Sequence, residues 1–185
     1  MAKTNGVAEQ YHIVVIGAGF GGMYALHHLR SMGLSVRVYE GAVGVGGTWW
    51  WNRYPGARVD FPGGPFYCYT FSDELFREYD WPETQPDQPA VLAYLEHVAD
   101  RFDLRRDIQL ETWVTGAKYD ERSQRWTIET NRGEHVSTSF WSAQWARYQQ
   151  STSPISPVSM TSRVRAITPR DGRKKAFPLR ANALA

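Results

Sequence analysis

An α/β fold built on a parallel sheet, with a small antiparallel meander added to it, is what the patterning of this 185-residue chain predicts. Three observations carry that prediction. Two short apolar runs, 12–16 and 35–39, bracket a segment in which Met23, Leu26 and Leu29 recur at helical spacing. A glycine-rich turn, Gly17-Ala18-Gly19-Phe20-Gly21-Gly22, joins the first run to that segment. Between 112 and 140 the apolar period falls to two, the period of half-buried strands.

Each element has a local reason. Residues 12–16 are apolar after the leading His12, as suits a parallel strand buried on both faces. Residues 20–31 read as the following helix, with Gly33 just past its end. Residues 35–39 form the second strand. Residues 41–65 are rich in Gly, Pro and aromatics, so a loop is expected, and a loop this long in a compact domain is usually functional. Ser72 is placed to cap a short helix that carries Asp73 and Glu74 in its first turn. Asp87 and Pro89 open a longer helix to about Phe102, with Val91, Leu92, Leu95, Val98, Ala99 and Phe102 along one side. Strands at 112–119, 125–130 and 134–140 follow, with turns at 120–124 and 131–133. The chain has no internal repeat.

The glycine turn has a chemical reading. A strand, a GxGxxG turn, a helix, a second strand and an acidic residue make a site for the ADP half of a dinucleotide. Gly17 permits the tight turn, Gly19 lets backbone approach a pyrophosphate, and Gly22 lets the helix pack on the sheet. The helix start then offers unpaired N–H groups and a positive dipole end to phosphate. Glu40 ends the second strand 18 residues after Gly22, where a carboxylate can accept hydrogen bonds from a ribose. A second glycine cluster, Gly44-Val45-Gly46-Gly47-Thr48-Trp49, lies close behind.

Composition narrows the classes. The formal net charge is +2, yet residues 141–185 hold eight Lys/Arg against one Asp. The remaining 140 residues therefore carry 13 basic and 18 acidic groups, a net of −5, which gives no footprint for nucleic acid. No apolar run is long enough to span a bilayer. Residues 1–10 lack the apolar core of a secretory signal and read as a disordered leader. A single cysteine, Cys68, excludes an intrachain disulfide and fits a reducing, cytoplasmic setting. His27, His28, His97 and His135 have no spacing that suits a metal, so no metal site is assigned. Taken alone, Trp50 and Trp51 could be core packing, Arg53 and Arg58 a solvated surface, and Asp60 an ordinary loop aspartate.

The stretches RVYEG, GVGGTWWWNRYPGARVD, YCYTFSDEL, LEHVADRFDLRRDIQ and YDERSQRWTIET, taken with GxGxxG and Glu40, give the chain a closer likeness. It resembles the class B flavoprotein monooxygenases, and among them the Baeyer–Villiger monooxygenases of the cyclohexanone and phenylacetone type. The likeness runs from Tyr11 to about Phe140. It implies a Rossmann-like FAD-binding domain over 11–140, three-layered with an inserted meander and incomplete at its C-terminal end. It implies FAD in this site, NADPH and O2 as co-substrates, and oxidation of a small-molecule ketone to an ester or lactone. N- and S-oxidising flavin monooxygenases share these features and remain an alternative, as does a non-catalytic nucleotide-binding module. Carried over by position, Gly17, Gly19, Phe20 and Gly22 hold the FAD pyrophosphate and Glu40 the adenosine ribose. Gly47, Thr48 and Trp49 lie along the cofactor. Arg58, Val59 and Asp60 sit where flavin and nicotinamide meet, and Tyr67 matches a flavin-side tyrosine. The family's NADPH domain and catalytic arginine have no counterpart in this text, so no catalytic residue is assigned and the fragment is expected to be inactive alone.

At Trp141 the resemblance ends and a Ser-, Pro- and Arg-rich basic tail begins, of a composition that suggests disorder. Codon degeneracy offers a reason. Shifted by one base, residues 140–150 can encode Leu-Val-Ser-Ala-Val-Gly-Thr-Leu-Ser-Ala, an apolar strand and small-residue turn. Residues 162–173 can encode FxGxxxHxxxWP, the family fingerprint; Gly172 supplies GG to the Trp codon, which excludes Tyr and Phe there. The tail from about 141 is therefore expected to be an out-of-frame translation. Resequencing the gene from the Ser137 codon onward should reveal a one-base insertion or deletion near Phe140. A confirmed frame without such a continuation would discard the expectation.

Overall fold

The computed structural model of the chain describes residues 9–144. Its elements run β1 (Gln10–Ile16), α1 (Phe20–Ser31), β2 (Val36–Tyr39), α2 (Thr48–Trp51), α3 (Gly63–Phe66), α4 (Asp73–Glu78), α5 (Gln88–Arg101), β3 (Ile108–Gln109), β4 (Val114–Asp120), β5 (Arg125–Thr130) and β6 (His135–Ala143). One sheet contains all six strands in the order β3-β2-β1-β6-β5-β4. β3, β2, β1 and β6 are mutually parallel, whereas β6, β5 and β4 are antiparallel. The meander is thus continuous with the parallel sheet through β6, which pairs with β1 from Ser137 to Ala143 and with β5 from His135 to Thr138.

Alternation along β1 divides the core. Val15 faces α1 and α5 and packs with Met23, Leu26, Leu95, Val98 and Ala99. Val14 faces the other way and packs with Tyr39, Ile128 and Val136, so the meander's apolar side chains cover the face that the helices leave. The expected caps are present. Ser72 Oγ accepts the Leu75 N–H, and the Asp87 carboxylate accepts the Ala90 N–H. Pro89 sits in the first turn of α5, where a missing N–H costs nothing.

Four details sharpen the expectations. β1 starts at Gln10, and the Glu9 carbonyl accepts the Ser137 N–H at 2.9 Å, so residue 10 belongs to the sheet and residue 9 is tied to it; the rest of the expected leader lies outside the described residues. The loop at 41–65 contains one single-turn helix, α2, and most of a second, α3; a turn of four residues is too short to show a period. The two-residue strand β3 extends the sheet beyond β2, and it too is shorter than any readable alternation. β6 continues through Trp141, Ser142 and Ala143, opposite Val14, Val15 and Ile16. Trp141 is drawn in by packing edge-on to Trp126, with ring centroids 5.8 Å apart. Residues 145–185, which hold most of the expected shifted tail, lie outside the described residues.

The central position of α5 is measurable. Leu95 is completely buried between the sheet and the loops. Leu95→Ala should therefore cost about 2–5 kcal/mol in chemical denaturation. The exposed Arg122→Ala serves as the neutral reference. Equal costs would place the core elsewhere.

Candidate nucleotide-binding site

The glycine turn after β1 is shaped by contact. A Cβ on Gly22 would lie 1.8 Å from the Gly17 carbonyl oxygen, so only glycine lets α1 rise this closely off the turn. Gly47 has φ +54°, and a Cβ there would lie 2.8 Å from the Gly19 Cα. The two glycine clusters, about 28 residues apart in sequence, therefore touch backbone to backbone. The Gly46 N–H donates to the Ala18 carbonyl at 2.9 Å and ties them together. No side chain caps the N-terminus of α1. Its first-turn N–H groups thus face the junction without a side-chain acceptor, the arrangement that receives phosphate oxygens.

Glu40 lies beneath this junction, 5% exposed. Oε2 accepts the Ala18 N–H at 2.7 Å and Oε1 accepts the Ala42 N–H at 2.9 Å. The carboxylate therefore holds the phosphate turn to the chain leaving β2. Each oxygen keeps a further lone pair with which a sugar hydroxyl could bond. The residues present fit the ADP half of a dinucleotide: a close-approach cradle, an open helix N-terminus, and a buried carboxylate at the ribose position.

Next to the cradle is an aromatic wall. Tyr67 meets Phe20 and Trp49 edge-on, with centroids 6.1 and 5.9 Å apart. Burial, helped by the charge of Asp60, holds the Tyr67 phenol above its usual range. Gly17, Gly19, Phe20, Gly22, Glu40, Gly47, Thr48, Trp49 and Tyr67 thus come together in one region. Arg58, Val59 and Asp60 form a separate strip beside the start of α5. The Val59 N–H donates to the Pro86 carbonyl at 3.1 Å, and Arg58 pairs with Glu83 at 3.1 Å and donates to the Gln85 carbonyl. Arg53 lies over the Trp50 ring at 4.1 Å. Cys68 is half-buried, and the Trp81 indole N–H donates to its sulfur at 3.2 Å.

Three supporting residues escaped the sequence reading. The Tyr94 hydroxyl, fully buried, accepts the Tyr69 N–H at 2.7 Å, and the Tyr69 hydroxyl donates to the Phe20 carbonyl at 2.8 Å. Burial drives both phenols well up from their usual range. The Gln88 amide donates to the Trp49 carbonyl. Gln88 and Tyr94 continue the 91, 95, 98 stripe of α5, so two polar-tipped residues on an apolar stripe were the available signal.

Residues 15–80 match the model of the NAD(P)-binding Rossmann-like domain family. The curated relatives include proteins named Baeyer–Villiger, cyclopentanone and cyclohexanone monooxygenase. The acetone monooxygenase (methyl acetate-forming) of Gordonia sp. (strain TY-5) is 48% identical over 68% of this chain and 24% of its own length. A phenazine N-monooxygenase of Lysobacter antibioticus is 47% identical over 67% of this chain and 23% of its own. Among solved structures, an oxidized steroid monooxygenase bound to NADP superposes with a TM-score of 0.71 at 56% identity, over 73% of this chain and 26% of its own. The chain is a homologue of the Baeyer–Villiger monooxygenases. It spans about a quarter of the length of the curated relatives it matches.

The two hydrogen bonds that the Glu40 carboxylate accepts yield a prediction independent of any ligand. Glu40→Gln places an amide NH2 against one of two backbone N–H donors. The variant should lose about 1–3 kcal/mol of stability in urea unfolding, whereas the exposed Glu121→Gln should stay within about 0.5 kcal/mol. An unchanged midpoint for Glu40→Gln would mean that the carboxylate does not hold the turns.

Proposed function

We propose that residues 9–144 form the ADP-binding part of the FAD site of a Baeyer–Villiger-type monooxygenase, whose overall reaction uses NADPH and O2 to convert a small-molecule ketone into an ester or lactone. The observation that carries this reading is the Gly19–Gly47 contact above the buried Glu40 carboxylate. Identity of about half to ketone and steroid monooxygenases supports it.

In this reading the first-turn N–H groups of α1 bind the pyrophosphate, with Gly19 and Gly47 leaving room for it. Glu40 binds the ribose. Phe20, Trp49 and Tyr67 wall off water along the path from the pyrophosphate toward the flavin, with Thr48 beside them and Val59 in the strip with Arg58 and Asp60. Arg58 and Asp60 lie at the nicotinamide end, where Arg58 would exchange Glu83 for a cofactor group. The redox chemistry supplied by bound FAD is hydride acceptance from NADPH and activation of O2. Nothing in residues 9–144 is assigned to the ketone itself. The frame-shifted tail and the domain limits at 11 and 140 belong to the same proposal.

The relationship to a phenazine N-monooxygenase keeps N-oxidation as a second reading, since this part of the chain serves the same cofactor in either reaction. A chimera tests the shared FAD site, and the full-length enzyme restored by repairing the reading frame separates the two reactions. Residues 9–140 should replace the matching part of the acetone monooxygenase, leave FAD bound, and support conversion of acetone to methyl acetate. A folded chimera without FAD would refute the site. In the frame-repaired full-length enzyme, ketone-to-ester conversion would support the Baeyer–Villiger assignment, and N-oxide formation from a heteroaromatic amine without any ester would refute it in favour of the second reading.

A further inference from the structure

We propose that Trp113, laid over Gly41 and facing Trp51, is the surface on which the adenine ring of the bound dinucleotide stacks. The inference rests on the reading of the Gly17–Gly22 turn and Glu40 as an ADP site. It follows from the order of groups in ADP. With the pyrophosphate at the start of α1 and the ribose at Glu40, the base must lie beyond Glu40. The chain there is Gly41 and Ala42, crossed by residues 110–113.

That crossing segment is tied to the ribose carboxylate's own backbone. The Thr112 N–H donates to the Glu40 carbonyl, and the Glu111 N–H to the Ala42 carbonyl, both at 2.9 Å. Glu111 has φ +53°, a left-handed conformation that non-glycine residues seldom adopt and that is over-represented at functional sites. Arg132 donates to the Leu110 carbonyl at 3.0 Å and supports the turn. Trp113 follows, with its backbone held on both sides by Asn131: its N–H donates to Asn131 Oδ1, and its carbonyl accepts the Asn131 N–H, each at 2.9 Å.

The indole is nevertheless 38% exposed. It lies flush on Gly41, where any Cβ would come within 2.3 Å of the ring. Trp51, at the end of α2 and 44% exposed, approaches with its ring centroid 6.1 Å away at an interplanar angle of 39°. Two half-bare indoles from distant parts of the chain thus meet beside the chain that leaves Glu40. One is fixed by a strained, fully hydrogen-bonded turn. A large apolar surface held rigid and left open to water suits a flat aromatic ligand. Stacking of a base on an aromatic side chain is strong enough to change affinity by about tenfold or more.

The test uses the full 185-residue chain, with ADP and inorganic pyrophosphate as probes, followed by calorimetry and tryptophan emission. ADP should bind and change the emission, whereas pyrophosphate, which lacks the base, should bind without that change. Trp113→Leu should weaken ADP about tenfold and leave pyrophosphate unaffected, and Trp113→Phe should recover most of the loss. Gly41→Ala, which displaces the indole, should copy Trp113→Leu. Unchanged ADP affinity in Trp113→Leu, or an identical emission response to ADP and pyrophosphate, would overturn the stacking role and leave the ADP site standing. Failure of the unmodified, folded chain to bind ADP or pyrophosphate would instead overturn the dinucleotide reading, and this inference with it.

Discussion

A buried carboxylate bonded to two backbone N–H groups is the constraint from which the rest of the site follows. Leaving a charged oxygen pair out of water is costly unless donors replace the lost hydration. Here the donors are the N–H groups of Ala18 and Ala42, one on each loop that builds the cradle. The start of α1 is close by, and its dipole favours negative charge on the same side. The Glu40 side chain therefore acts first as a structural clamp. A ligand hydroxyl would join an acceptor that the fold has already oriented, which lowers the ordering cost of binding.

The aromatic residues extend that order outward. α5 holds the loops with two polar contacts, from Gln88 to the Trp49 carbonyl and from Tyr94 to the Tyr69 backbone. Tyr69 in turn reaches the first residue of α1. The loop at 41–65 is long, but its middle is tied to the start of α5, where the Gln88 side chain donates to the Trp49 carbonyl and the Gln88 N–H to the Ala57 carbonyl. Rigid support under irregular backbone is what a ligand site on loops requires.

Much of this architecture could be read from the sequence because it rests on short-range rules. The turn at Gly17–Gly22, the cap residues Ser72 and Asp87, and the period-two strands each announce themselves within a few residues. The features that could not be read depend on contacts between distant segments. Gly47 against Gly19, Trp113 over Gly41 and the left-handed Glu111 have no local signature, since each exists only once two remote stretches meet. Glu40 was expected as a ribose ligand, and its backbone bonds were invisible for the same reason. The extension of β6 to Ala143 was missed because Trp141 is placed by a partner, Trp126, in another strand. Arg58 was placed near the cofactor by resemblance, whereas its ion pair with Glu83 needed the fold.

β6 is shared property. Its residues pair with β1 on one edge and with β5 on the other, and Ser137 and Thr138 serve both. Val136 is buried and Trp141 half-buried against the face that Val14 presents, and the Thr138 hydroxyl donates to the His12 carbonyl. Because side chains alternate every residue, a single insertion inside β6 would put the two halves of the sheet out of phase with each other. Added or lost residues in the turn at 121–124 would change only the length of a hairpin tip. The fold thus separates ground where lineages can drift in length from a stretch where the count must be kept, and the phosphate turn lies one strand away on the guarded side.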